Sequence, residues 1–398
     1  MSTSTLATDE RPLGIGAVLR APRVPTLLSA NQVGRLPLAA GPLALLLFAR
    51  EHVSLALAGL VVAVYTAGMA VSSPVLARAV DRWRQPPVLW GSSTLSAVGF
   101  LTVAAGGGDL GITVVGAALA GLGTPPLEAC LRALWPSLVP PPAVASAYTL
   151  DIALQEVIFV VGPLVTLSAV AIGGPSAGLI AAAACQLTGV AVFALSRPVR
   201  VWRGVPAKRH WAGPLRVPRF VVLIAGVVCA GAAVGSLPVA ITGYAEAAGD
   251  RGLSGWLLAA QAVGALAGGL AWTRVRPGGT GRLPLLMLCF TVGYLPLLIL
   301  PGVGAMVVLV AISGVALPPV LTAVFLTTDR LAPTGTVVEA FAWIVTAFTV
   351  GSASGAALAG PLAASSPRAA FVLAPVVGLV GVGAMSVVHR LTVRPRAA

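Results

Sequence analysis

The chain has 398 residues, 57% of them hydrophobic and 9% charged, with a mean hydropathy of +0.96 and a net charge of +13. Soluble globular chains carry about 25% charged residues, so this composition excludes a large soluble core and indicates a polytopic membrane protein. The positive charge does not signal nucleic acid, because the basic residues lie in short loops between apolar runs and form no patch with interleaved aromatics.

Apolar runs of about 20 residues, enough to cross a bilayer as helix, occur twelve times: 26–49, 54–77, 87–108, 111–135, 144–172, 176–196, 219–242, 253–273, 283–300, 303–326, 336–360 and 369–389. They are called spans 1 to 12. The expected fold is an all-α integral membrane protein of twelve transmembrane helices in two six-helix halves. The segment before span 1, M-S-T-S-T-L-A-T-D-E-R-P, lacks the charged start and apolar stretch of a signal peptide and is expected to remain.

Span 1 carries Asn31, Gln32 and Arg35 in a polar turn at mid-span, followed by Pro37 and Pro42. An arginine at that depth requires an anion, either Glu156, Glu128 or a group on a substrate. After span 2 comes A-R-A-V-D-R-W-R-Q, residues 77–85, where Asp81 can accept bonds from a helix N-terminus or an arginine.

The densest stretch is Pro125 to Pro163, two apolar helices joined by Pro140, Pro141 and Pro142. They hold Glu128, Arg132, Asp151 and Glu156. Ionisable groups at mid-depth cost roughly 2.5–3.5 kcal/mol each, so a partner or a pathway has to use them. Glu128 and Arg132 are four residues apart on one helical face, which suits mutual neutralisation; Arg132 is alternatively expected to reach Asp81. Asp151 is expected near the inner interface, as a cap or bound to an arginine. Glu156 lies about 18 Å up span 5 from Val144, near the middle of a core about 30 Å thick. A carboxyl there beside Arg35 or a substrate amine is what proton exchange requires; a fixed contact with Arg35 or Gln155 is the structural alternative. Gly162 and Pro163, six and seven residues past Glu156 and so about two turns along, are expected to break the helix.

The loop from Arg197 to Pro218 divides the spans six and six, giving an N-terminal half at 1–196, a linker at 197–218 and a C-terminal half at 219–398. Its arginines and tryptophans suit an anionic leaflet. In the second half, the fifteen-residue step from Pro318 to Pro333 repeats that from Pro125 to Pro140. Each step leads to an acid, Asp151 or Glu339, for which a matching role is expected. Glu339 heads a stripe with Trp343 and Thr346. Of the 25 Lys and Arg, 21 fall on the side of the N-terminus if it is inside, three fall opposite, and Arg35 lies within span 1. That bias puts both termini in the cytoplasm.

Other chemistry is poorly represented. The four cysteines, Cys130, Cys185, Cys229 and Cys289, are scattered in apolar segments without the pairing of a disulfide or zinc site. His52, His210 and His389 lie in or beside loops. Lys208 is the only lysine and no phosphate-binding glycine loop precedes it, so no nucleotide hydrolysis is expected. No metal, cofactor or enzymatic activity is expected.

Residues 77–85 resemble the signature loop of the major facilitator superfamily: Asp81 and Arg82 match, while Ala77, Arg84 and Gln85 replace its two glycines and final base. The corresponding G-L-A-W-T-R-V-R at 269–276 keeps Gly269 and Arg274 but has Thr273 in place of the acid. L-R-A-L-W-P-S-L-V-P, Q-E-V-I-F-V-V-G-P and V-E-A-F-A-W at 338–343 are similar to a group of actinobacterial members labelled exporters. Gly162-Pro163 resembles the core of the antiporter motif of drug exporters, without its wider glycine framework. The resemblance spans essentially the whole chain. It implies a monomeric secondary transporter of the inner, cytoplasmic membrane that works by alternating access, with the signature loop latching the halves on the cytoplasmic side.

The expectation is therefore proton-coupled export of a small organic molecule, with uptake symport or a non-transporting membrane sensor or lipid-handling protein as alternatives. Glu156, Arg35, Asn31, Gln32 and Glu128 are the expected coupling and cavity residues. Asp81, Arg82, Arg132, Asp151 and Glu339 are the expected cytoplasmic gate.

Overall fold

The computed structural model describes residues 13–204, 210–250, 252–273 and 282–393, and these are all helix and connection. Lys208 lies outside them, as do Arg274 and both chain ends. Ten helices among the described residues are long and apolar enough to cross a membrane. The longest stretch, Val144–Leu195, would measure about 78 Å if straight. It turns back at Gly173 and Gly174, where Gly174 has φ 74°, a left-handed conformation that glycine adopts without strain. It thus supplies spans 5 and 6, and the shorter apolar Leu283–Ile299 supplies span 9, which gives twelve crossings.

The remaining spans are Val24–Arg50, Leu57–Arg82, Gln85–Ala105, Leu110–Leu138, Pro218–Ala247, Leu253–Trp272, Val303–Leu331, Val337–Ser365 and Arg368–Thr392. Span 1 changes helix at Leu36, between Val24–Arg35 and Pro37–Arg50. Span 4 is interrupted more sharply, between Leu110–Leu122 and Leu127–Leu138. Pro125 and Pro126 have no N–H to continue the ladder. The carbonyl of Gly121 is satisfied instead by the Thr124 N–H and the Ser72 hydroxyl. Span 10 steps from Val303–Val315 to Leu317–Leu331 just before Pro318 and Pro319, so the two proline steps do fall at corresponding places. The acids that follow are not equivalent. Glu339 is in the first turn of span 11, whereas Asp151 sits two turns into span 5.

No break occurs at Gly162 and Pro163. Only Gly173 and Gly174 leave helical geometry within Val144–Leu195, so the expected interruption of span 5 is corrected to a continuous helix. Gly162 has a packing role instead. A Cβ there would lie 2.9 Å from the Ala39 Cβ and 3.1 Å from the Ala40 nitrogen, so its bareness lets span 5 rest against span 1. Lipid-bathed helices gain little from apolar contact alone, and close backbone approach is how they hold together. Gly231 and Gly235 of span 7 face the carbonyls of Phe348 and Ser352 in span 11. Gly351 and Gly355 in turn face Val228 and Ala232. Gly264 and Gly268 of span 8 face Ala311 and Val315 of span 10 in the same way.

The halves meet at one end of the bundle, which is rich in arginine. There span 2 reaches span 11, and span 5 reaches spans 8 and 10.

Candidate functional site

Four charged side chains form a buried ring in the N-terminal half. Arg35 donates to Asp151 (Nη1–Oδ1, 3.0 Å) and pairs with Glu128 (Nη2–Oε2, 3.2 Å). Arg132 donates to Asp151 (Nε–Oδ2, 2.8 Å) and pairs through Nη2 with Glu128. Asp151 is 0% exposed, Arg132 1% and Arg35 2%, so each charge is neutralised within the protein. Burying a lone ion costs several kcal/mol, and interleaving two arginines with two carboxylates offsets that cost through their mutual attraction. Arg35 also donates to Gln155 Oε1 (3.0 Å) and to Asn31 Oδ1 (3.4 Å). The Asn31 amide also donates to the Leu127 carbonyl (2.8 Å), fastening span 1 to the start of the second helix of span 4.

This geometry redistributes the residues picked out from sequence. Arg35 does find its anions, and they are Asp151 and Glu128 rather than Glu156. Asp151 and Arg132, expected at the cytoplasmic gate, belong to the ring. Arg132 has Glu128 and Asp151 as its ion-pair partners instead of Asp81. Asn31 supports the ring without lining either cavity described below, and Gln32 lines neither. Sequence separation hid the Arg35–Asp151 pair: no periodicity links positions 116 apart.

A second cluster ties the halves together. Both Asp81 carboxylate oxygens accept from the start of span 11, from Glu339 N at 2.8 Å and Val338 N at 3.2 Å. A carboxylate there satisfies N–H groups that no helix turn can reach and complements the positive helix end. Of the two partners expected for Asp81, the helix N-terminus is thus observed. Glu339 pairs with Arg78 of span 2 and accepts weakly from the Trp343 indole (3.4 Å). Sequence reading overlooked Arg78, which it counted only as a loop charge. Arg82 is exposed and lies over Trp83, 5.7 Å from the ring centre. Gln85, at the final position of the loop signature, is fully buried and donates to the Cys130 carbonyl (3.2 Å), joining span 3 to span 4.

Next to this latch, the Tyr148 ring of span 5 packs at a tilt against Phe325 of span 10 and Phe341 of span 11, at ring separations of 5.7 and 5.9 Å. The Thr149 and Thr322 hydroxyls meet at 3.0 Å. Arg132 lies 3.9 Å above the Phe325 ring, a cation–π contact that connects the charge ring to the opposite half.

Beyond that seal lies a cavity of about 500 Å³. Its wall includes Glu128, Arg132, Gln155, Glu156 and Phe159 from the N-terminal side, and Leu321, Phe325, Ile344 and Phe348 from the other. Glu156 is half-buried and has no ion-pair partner among the described residues. A smaller chamber of about 110 Å³ lies between spans 1, 2, 4 and 11, lined in part by Arg35, Thr66, Thr124, Glu128 and Thr346. Glu128 lines both.

The sequence profile of the Major Facilitator Superfamily matches residues 38–356. The chain belongs to this superfamily. Major facilitators are transporters, and this chain is accordingly a non-enzymatic secondary transporter. Among curated proteins none matches. Solved structures of similar fold include a bacterial homologue of the iron transporter ferroportin in an outward-facing state. It has a TM-score of 0.70 at 15% identity and covers 92% of this chain and 99% of its own. The same protein with soaked iron gives 0.70 at 16%, covering 93% and 99%. The human organic anion transporter MFSD10 gives 0.60 at 13%, covering 91% and 98%. At these identities the likeness is one of fold.

Proposed function

We propose that this major facilitator exports a small organic molecule across the cytoplasmic membrane in exchange for protons, with Glu156 as the coupling residue. The observation that carries the reading is a cavity between the halves, sealed at the arginine-rich end, with a carboxylate in its wall that has no ion-pair partner among the described residues. Site placement between two repeats that rock against each other is how such transporters alternate access. Residues 1–196 and 219–398 serve as the two rocking bodies and 197–218 as their linker.

In this reading the arginine-rich end faces the cytoplasm, as the distribution of basic residues favours, and the structure is the outward-facing state. Asp81, Arg78 and Glu339 hold the cytoplasmic side shut, while the Tyr148, Phe325 and Phe341 rings exclude water above them. Opening inward requires the start of span 11 to leave Asp81. The ring of Arg35, Glu128, Arg132 and Asp151 keeps spans 1, 4 and 5 together as one body while Arg132 senses the other half through Phe325. Glu156 takes a proton from outside when the cavity is empty and releases it inside. A single chain encloses the cavity, so the monomer is the working unit.

The deciding experiment compares substrate retention in cells with and without the gene, then repeats transport in proteoliposomes with an imposed pH gradient. Export predicts lower retention when the gene is present and gradient-driven flux that Glu156→Gln abolishes. Higher retention with the gene present would reverse the direction to uptake. Gradient-driven flux in well-folded Glu156→Gln protein would remove the coupling role.

A further inference from the structure

The charges around the cavity select among substrates. Of the charged residues in its wall, Glu128 and Arg132 belong to the closed ring, where two arginines balance two carboxylates. Arg132 is the one basic residue in that wall, and Glu128 and Asp151 already neutralise it. Glu156 remains as the carboxylate without a counter-charge among the described residues. The cavity therefore presents one negative charge more than it balances whenever Glu156 is ionised.

The surface around that charge is aromatic and aliphatic. Phe159 lies one turn further along span 5 on the same face, and Phe348 and Phe325 contribute from spans 11 and 10, with Leu321 and Ile344 beside them. Aromatic faces are electron-rich and attract cations, most strongly where water is excluded. Of the neutral polar residues in the wall, Gln155 gives its Oε1 to Arg35, and Thr349 and Ser352 carry no charge to balance Glu156. An anionic molecule would meet Glu156 as a like charge, and an uncharged one would leave the carboxylate uncompensated.

We infer that the substrate of this cavity is an organic cation, a protonated or quaternary amine on an apolar body, whose charge pairs with the Glu156 carboxylate among the phenylalanine rings. This rests on the reading of the cavity as the transport site and adds the substrate class. It also supplies the physical basis of exchange. A proton and the cation compete for one carboxylate, so loading of one expels the other, and one positive charge enters for each that leaves.

The test uses two rigid biaryl probes of opposite charge, N-methyl-4-phenylpyridinium and 4-phenylbenzoate, in equilibrium binding to the full chain in nanodiscs. The wild type should bind the cation at least about tenfold more tightly than the anion, the scale of one desolvated charge pair. Cation affinity should fall as pH is lowered, because a protonated Glu156 offers no charge. Glu156→Gln should lose that preference and its pH dependence, while Glu156→Asp, which keeps the charge, should retain most of both. Glu156 stands outside the charge ring, so folding is expected to survive, and thermal unfolding checks it. Tighter binding of 4-phenylbenzoate, absence of cation binding by folded wild type, or cation binding unaltered in Glu156→Gln would each overturn the assignment while leaving transport intact. Glu156-dependent cation binding without flux in proteoliposomes would instead overturn the transport reading and leave the substrate class standing.

Discussion

Glu156 and Asp151 are separated by little more than one helical turn, yet their surroundings give them opposite duties. Asp151 is enclosed by two arginines and accepts from both. Glu156 faces the cavity without an ion-pair partner among the described residues. Replacing Asp151 by Asn leaves Arg35 and Arg132 sharing Glu128 alone, one buried positive charge in excess. Breaking a buried pair costs about 3–5 kcal/mol, so Asp151→Asn should lower the thermal unfolding temperature sharply and reduce expression. Glu156→Gln should leave the unfolding temperature near that of the wild type. Equal stability loss in the two variants would contradict the division of labour. At the latch, Asp81→Asn retains an acceptor oxygen but loses the charge that the start of span 11 attracts, worth about 0.3–1 kcal/mol, or up to about 2 where partly buried. The expected result is slower transport and greater reactivity of a cysteine placed at Thr336 at the latch end, with folding unchanged. Normal flux and unchanged reactivity would argue against Asp81 as a latch.

Between elements, the contacts of spans 7 and 11 depend on what is missing. Gly231, Gly235, Gly351 and Gly355 alternate across the interface so that backbone meets backbone. Overpacking a close contact typically costs about 1–3 kcal/mol. Gly355→Val, which would drive a branched side chain into the Ala232 carbonyl, is expected to lower the unfolding temperature and shift span 11, moving Phe348 and reducing cavity binding. Wild-type stability in that variant would show that the spans can separate without penalty. Gly351 and Gly355 stand four residues apart in the sequence, but which span they meet is set by the packing. Gly162 was misread for a related reason. A glycine followed by proline suggests a break, whereas neighbouring helices can tolerate proline in a membrane span, and the observed helix continues past both.

For the whole molecule, closure is confined to one end, and a reversible lock tests whether that end must open. The Thr149 and Thr322 hydroxyls lie 3.0 Å apart across the two halves. With the four native cysteines replaced, T149C/T322C should form a disulfide on oxidation that stops transport, and reduction should restore it. Continued flux through fully cross-linked protein would exclude rocking at this seam as part of the cycle.

Composition and period alone determined that the chain crosses a membrane twelve times, because a bilayer admits long apolar helices and little else. Pro125–Pro126 and Pro318–Pro319 stand at the steps the structure shows in spans 4 and 10, where proline removes a backbone donor, although Pro163 interrupts nothing. The sequence offered a helix N-terminus or an arginine as partner for Asp81, of which the helix end is observed, and marked Glu128, Arg132, Asp151 and Arg35 as charges that needed partners. The Glu128–Arg132 pair was legible from its four-residue spacing, but the pairs between helices were decided by tertiary structure. Arg35 and Asp151 are 116 positions apart, and Arg78 and Glu339 are 261 apart. Pairing over such distances depends on how helices from separate parts of the chain lie against each other. The same packing left Glu156 outside the ring, so the charge available to a ligand is the remainder after every other neighbouring charge has been matched.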